Sequence, residues 1–172
     1  ELAGDTAALA ARLRATGLEA ESRMYEVTGG VNTHKGAIFS MGLMCAAAGR
    51  LDPDHWTPEQ LSALCRDMTQ GIVKRDLAGV TAENARTAGE KLYALYGVTG
   101  ARGQAESGFP AVFQTGLPVL QQGLQQGLCV PDAGCAALLH LIACQDDTNL
   151  IHRGGRETQL RIRRELTELL TA

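Results

Sequence analysis

Aromatic residues are scarce: three Phe, three Tyr and one Trp make up 4% of the 172 residues. Any core must therefore be filled by Leu, Ala, Ile, Val and Met, which the 45% hydrophobic fraction supplies. Long apolar runs are missing as well. No stretch approaches the ~18 residues of a membrane helix, so no spanning segment is expected. Charge of one sign is also lacking, since 16 Lys and Arg against 19 Asp and Glu leave a formal −3. That balance gives no general attraction to nucleic acid or to an anionic membrane, and any anion site has to be local. There is no CxxC pair, and the cysteines (Cys45, Cys65, Cys129, Cys135 and Cys144) are odd in number. This argues against a disulfide framework or a zinc site, and reduced cysteines packed inside apolar helices are expected. Alternating β-branched runs, internal repeats and low-complexity tracts are all absent. The opening Glu1-Leu2-Ala3-Gly4-Asp5 has no signal-peptide character, so a cytoplasmic location is expected. It also lacks an initiating Met, as a processed chain or a fragment would.

What remains is an all-α pattern. Residues 5–14 and 18–27 read as two helices separated at Thr16-Gly17. The run 37–48, Ala-Ile-Phe-Ser-Met-Gly-Leu-Met-Cys-Ala-Ala-Ala, is apolar on almost every side. It is expected to be a buried central helix, the most buried of the fold, ended by Gly49. Thr57-Pro58-Glu59-Gln60 is a helix start with a capping box. Thr81 is expected to cap a helix that carries Ala85, Ala88, Leu92 and Leu95 on one face. Leu117, Leu120, Leu124 and Leu128 form a stripe, Pro131-Asp132 opens a further helix, and the last helix covers about 157–171. The expected architecture is one compact multi-helix domain over 1–172.

The 20 glycines, a share above the usual ~7%, concentrate in particular loops. Three polar segments stand out, at 28–36, 100–110 and 146–155. In the first, His34 and Lys35 sit where the central helix begins, at its partial positive charge. A cation there is unfavourable by roughly 0.3–1 kcal/mol unless an anion joins it. Gly29, Gly30 and Gly36 leave backbone N–H groups accessible nearby, so a phosphate cradle is one reading. A glycine turn with an exposed lysine is the plainer one, and the spacing is not that of a Walker A loop. In the third, Asp146 and Asp147 end an apolar helix at its negative end. A Mg²⁺ would remove that repulsion and suit a phosphate substrate. Simple hydration, or pairing with Arg153, is the alternative. In the second, Arg102 could grip phosphate, and Glu106 could bind metal or act as a base. The alternative is an interhelix loop in which the two pair with each other. Arg156, Arg161, Arg163 and Arg164 read as a solvated face, with phosphate contact as the alternative.

TGGVNTHKGAIFS at 28–40, GARGQAESGFP at 100–110 and DDTNLIHRGG at 146–155 together resemble the triphosphoribosyl-dephospho-coenzyme A synthase family. TAGEKLYALYG at 87–97 is also similar, and the resemblance runs from about residue 18 to 155. It implies an enzyme that uses ATP and 3′-dephospho-coenzyme A. The triphosphoribosyl group would be joined to a ribose hydroxyl of dephospho-coenzyme A, with release of adenine. The product would be the prosthetic-group precursor of the acyl carrier protein of citrate lyase or malonate decarboxylase. It further implies the C-terminal part of a longer catalytic domain, against which a missing N-terminal segment or a second copy would pack. An apolar groove left open beside 28–36 and 146–155 is expected in its absence.

Such chemistry suggests roles for the residues present. Glu106, Asp147, His34 and His152 are the expected acid, base or charge-stabilising groups. Gly29, Gly30, Asn32, His34, Lys35, Arg102 and Arg153 are expected to bind the nucleotide. Asp146, Asp147 and Glu106 are the expected Mg²⁺ ligands. Two other classes remain: a hydrolase acting on a nucleotide N-glycoside or ADP-ribose, and a noncatalytic nucleotide-binding module.

Overall fold

A computed structural model describes residues 2–171, with side chains from residue 8 onward. Among the described residues there are nine α-helices, one π-helical turn and no strand, as the all-α reading requires. The helices are α1 (Leu2–Val27), α2 (Lys35–Ala48), α3 (Pro58–Thr69), α4 (Ile72–Leu77), α5 (Ala88–Tyr96), α6 (Gly100–Glu106), α7 (Leu117–Gln125), α8 (Val130–Cys144) and α9 (Thr148–Thr171). The π-helical turn is Ala111–Gly116. None of these helices is long and apolar enough to cross a membrane. The chain folds into two compact units. The first holds Glu1–Ile72 with Ala105–Gly108, and the second holds Val73–Gln104 with Phe109–Ala172.

In the first unit α1, α2 and α3 pack on one another. The break expected at Thr16-Gly17 does not occur, and α1 runs through it. A glycine that keeps helical angles costs only about 1 kcal/mol against alanine, less than ending a helix there. α3 starts as expected. Thr57 Oγ1 accepts the Gln60 N–H and Gln60 Oε1 accepts the Thr57 N–H. Leu61, Cys65 and Met68 then share the buried face at helical spacing. The expectation that 37–48 would be the most buried segment is corrected. α2 forms at 35–48, but it fully buries only Leu43 and Ala47, while Met41 is 58% exposed. A helix apolar all round needs neighbours all round, and in this unit α1 and α3 cover part of its circumference. The cysteine reading needs correction too: all five are free, yet only Cys65 is buried.

In the second unit the helix cap is Thr87 and not Thr81. Thr87 and Glu90 exchange side-chain and backbone hydrogen bonds in a full capping box. Thr81 and Asn84 close only an isolated turn, in which Asn84 also donates to the Gly79 carbonyl. Leu92, Val98 and Ile151 form a buried cluster that seats the start of α9 against α5. The π-helical turn, α7 and α8 pack together closely. A Cβ on Gly123 would lie 3.1 Å from that of Ala133, so the α7–α8 approach depends on that glycine. α9 begins earlier than expected, at Thr148, and is broken at Gly155 (φ 82°, ψ 164°), a conformation reserved for glycine.

Candidate active site

The first polar segment is the joint between α1 and α2. Gly29 (φ 64°) takes the left-handed turn after α1, and the Gly30 N–H donates to the Tyr25 carbonyl at 2.7 Å. The Thr28 N–H donates to the Met24 carbonyl, so this is a helix C-cap of the Schellman kind. The N–H of Gly30 is therefore spent on α1 instead of facing outward. The side chain of Asn32 accepts the Lys35 N–H at 3.1 Å and so caps the start of α2. Thr33 Oγ1 and His34 Nδ1 share a 2.6 Å hydrogen bond, and the His34 N–H points at Met24 Sδ. Lys35 Nζ lies 2.8 Å from Glu21 Oε2, on a carboxylate side chain only 17% exposed. The cation at the start of α2 thus already has an anion, supplied by α1.

The second segment is largely helical, as α6. Arg102 Nε donates to Asp76 Oδ2 at 3.1 Å, within the second unit. Its charge also acts on Glu90. That carboxyl lies below its usual range chiefly because it accepts the Arg86 N–H, with Arg102 a smaller cause. Glu106 belongs to the first unit, where Oε1 accepts the Gly71 N–H at 2.7 Å. This bond closes the turn after α3, whose Gly71 has φ 75°. Arg102 and Glu106 are thus engaged with Asp76 and Gly71. Gly100 meets the third segment, since a Cβ there would lie 3.4 Å from Thr148 Cγ2.

The third segment joins α8 to α9, and its two carboxylates have different duties. Asp147 sits at the N-terminus of α9, where Oδ1 accepts the N–H groups of Asn149 and Leu150 at 2.8 and 3.0 Å. It lies at a positive helix end, where a carboxylate is favoured. The reading that both aspartates sit at the negative end of the apolar helix is thereby corrected, because residues 148–154 are helical. Asp146 does face that negative end, and Oδ1 pairs with Arg156 at 2.8 Å and Arg163 at 3.1 Å. Those two arginines are part-buried, not a solvated face. Arg153 is exposed and pairs with neither aspartate among the described residues; nor does His152 form a hydrogen bond there. Asp147 Oδ2 likewise has no partner among them.

Among the described residues no group of three or more His, Cys, Asp or Glu converges as metal ligands. Asp146 Oδ1 faces two guanidinium groups, which repel a cation. Asp147 keeps one carboxylate oxygen clear of those guanidinium groups, which suits a Mg²⁺ of the kind that keeps waters and takes its other ligands from phosphate.

Four residues that the sequence reading left out of the site prove central to its geometry: Glu21, Arg156, Gln159 and Arg163. Arg156, Gln159 and Arg163 are spaced i, i+3, i+7 on α9, a polar stripe that helical periodicity could have revealed.

Comparison with known proteins adds a second line. The sequence pattern described as ATP:dephospho-CoA triphosphoribosyl transferase matches residues 2–172. A probable 2-(5''-triphosphoribosyl)-3'-dephosphocoenzyme-A synthase of Citrobacter koseri is 42% identical over 160 residues, 92% of this chain and 52% of that protein. One of the same name from Albidiferax ferrireducens is 42% identical over 161 residues, again 92% and 52%. The chain thus spans about half the length of these relatives. No solved structure matches it.

Proposed function

The chain belongs to the ATP:dephospho-CoA triphosphoribosyl transferase family, and from that membership we propose that it serves the transfer of a 5-triphosphoribosyl group from ATP to 3′-dephospho-coenzyme A. The observation that carries this reading is the family match over residues 2–172. The bond from the ATP ribose to adenine breaks, a bond from that ribose to an acceptor hydroxyl forms, and the hydroxyl proton ends on adenine. The triphosphate stays on the transferred sugar. The product is a prosthetic-group precursor for an acyl carrier protein of citrate lyase or malonate decarboxylase, made in the cytoplasm.

His152, exposed and unbonded among the described residues, takes the proton from the acceptor hydroxyl and gives one to adenine. The two transfers return the imidazole to its starting state, so one proton moves in total. Arg153 beside it binds an oxygen of the substrate. Asp147, through Oδ2, would hold a Mg²⁺ brought by the phosphates. When bound, that ion neutralises phosphate charge. In the first unit Lys35 contacts phosphate after exchanging Glu21 for it, and Asn32 keeps α2 capped meanwhile. His34 stays on Thr33 as an orienting contact. Arg102 is assigned to phosphate in the second unit, in exchange for Asp76. Gly29 and Gly30 shape the turn that presents Lys35. Glu106 is assigned to holding the Gly71 turn, which leaves the chemistry to the third segment.

The test is mass spectrometry of ATP and dephospho-coenzyme A incubated with the intact protein. Free adenine together with a species of the summed mass, less adenine, is expected. Adenine and free triphosphoribose without the joined product would replace transfer by hydrolysis, and no adenine at all would sink the reading.

A further inference from the structure

We propose that Arg156, Gln159 and Arg163 form a clasp of positioning residues that holds segment 146–155 in place. Within the aspartate pair, Asp146 then belongs to the clasp and Asp147 to the reaction. This rests on the proposed transfer for its kinetic part, and on geometry alone for the rest.

α8 ends in carbonyls that have no partner within the helix. The second half of α9 supplies a partner for one of them and for the carbonyl just past the helix. Arg163 Nε donates to the Ala143 carbonyl at 3.2 Å, and the same guanidinium reaches Asp146 Oδ1 through Nη1 at 3.1 Å. One planar fork therefore ties the helix end and the first aspartate together, which a lysine ammonium cannot do from one fixed geometry. Gln159 is fully buried, and its Nε2 donates to the Gln145 carbonyl at 3.3 Å. Its Oε1 accepts from Arg156 Nη1 at 3.3 Å, so both ends of this buried amide are used. Arg156 also pairs with Asp146, and its guanidinium carbon lies 5.9 Å from the centre of the Tyr96 ring. Two cations at the negative end of α8 are favourable as well as paired.

The consequence lies in what is held between these contacts. The chain leaves α8 after Cys144, passes Asp146, starts α9 at the Asp147 cap and turns at Gly155. It then sends Arg156, Gln159 and Arg163 back to where it left. Residues 147–155 are thus closed at both ends, with Ile151 buried at the centre and His152 and Arg153 outside. Loosening the clasp should misplace His152 and Asp147 without removing any group that touches the substrate.

The experiment compares the intact protein with Arg163→Gln, Arg163→Lys, Asp146→Asn, Asp147→Asn and the doubles Asp146→Asn/Arg163→Gln and Asp147→Asn/Arg163→Gln. Melting temperature and the kinetics of joined-product formation are measured at 25 °C. Asp146→Asn and Arg163→Gln should each lower kcat about tenfold with KM for ATP within about threefold, and their double should be no worse than the poorer single. Arg163→Lys should recover part of the lost kcat, and it gives the reading if Arg163→Gln does not fold. Asp147→Asn should combine less than multiplicatively with Arg163→Gln, because part of the Arg163 effect is the placement of Asp147. A lowered melting temperature with unchanged kcat in Arg163→Gln would reduce the clasp to scaffolding and overturn the proposal. So would independent effects of Asp146→Asn and Arg163→Gln. If the unaltered protein forms no joined product, the transfer reading fails. The melting temperatures then decide only whether the groups act as one unit: non-additive shifts for Asp146→Asn and Arg163→Gln support that geometric part, and additive ones reject the clasp altogether.

Discussion

Lys35 in the first unit and Asp146 in the second each set a charge against a helix end of the same sign. The protein answers both, but it answers them differently. Lys35 receives one carboxylate, Glu21, and the account closes at zero. Asp146 receives two arginines, and the neighbouring Asp147 is placed at the opposite kind of helix end, where it uses one oxygen of two. After pairing, the first segment holds a neutral, exchangeable ion pair. The third still has an open carboxylate oxygen, an unbonded imidazole and an unpaired guanidinium among the described residues. A charge at an unfavourable helix end is therefore weak evidence for a ligand. What remains unspent after the protein has paired its own groups is stronger evidence, and it is the reason the proposed function assigns the reaction to 147–153.

The largest effect should come from Asp147, and it breaks the comparison if it fails. Asparagine caps a helix about as well as aspartate, whereas alanine costs roughly 0.5–2 kcal/mol. Asp147→Asn should leave the melting temperature nearly unchanged and lower kcat by about a hundredfold, with a weaker response to Mg²⁺. Asp147→Ala should lose stability as well. Full activity in Asp147→Asn would make the residue a cap and nothing more. A fall in activity with an identical Mg²⁺ response would move Asp147 away from metal and toward the sugar.

Gly155 comes next, because the contrast depends on α9 turning back toward α8. Its φ of 82° and ψ of 164° are strained for any side chain. Gly155→Ala should cost about 1–3 kcal/mol, read as a lower midpoint in urea. A nearby Cβ clash cannot be the cause, since nothing lies within 4 Å of the position. An unchanged midpoint would mean the kink relaxes easily and the clasp is not fixed by it.

Lys35 should give a smaller change. Replacing it with methionine removes a charge-assisted contact, and the cost of leaving Glu21 works against that contact in the unaltered protein. ATP binding by calorimetry should weaken about tenfold. Glu21→Gln should tighten it, because the lysine no longer has a competing partner. Equal affinity in all three proteins would confine Lys35 to the α1–α2 joint.

Much of this was legible in the sequence wherever partners are close along the chain. The Thr57–Gln60 box, the Pro131 start and the Gly49 end are local signals, and they hold. Thr81 and Thr87 each precede a residue able to close a cap, and only the structure shows that Glu90 completes one with Thr87. The α9 start was missed because DDTN reads as loop. Asp147 as a cap, followed by Leu150 and Ile151, was the available signal. The family strings located the polar segments. They could not show that Lys35 belongs to Glu21, or Asp146 to Arg156 and Arg163, since those pairs join different helices and depend on how the helices pack.

The smallest expected effect is a control on the first unit. Cys65 is fully buried, and burial pushes its thiol up to about 11, from an ordinary value of 9.0. The raised value favours the neutral thiol in the folded state, so this group's contribution to stability falls as pH rises from 9 toward 11. The unfolded chain loses that proton first. At pH 8 a thiol reagent should modify the exposed Cys45, Cys129, Cys135 and Cys144 quickly and Cys65 only as the unit opens. Lys35→Met removes a surface charge and leaves the Leu61–Cys65–Met68 face intact, so Cys65 should react within about twofold of its rate in the unaltered protein. A much faster reaction would mean that the substitution loosens the unit. Weaker ATP binding would then reflect a disturbed α1–α2 joint, and Lys35 would lose its assignment to phosphate while the reading of Asp147 stayed as it was.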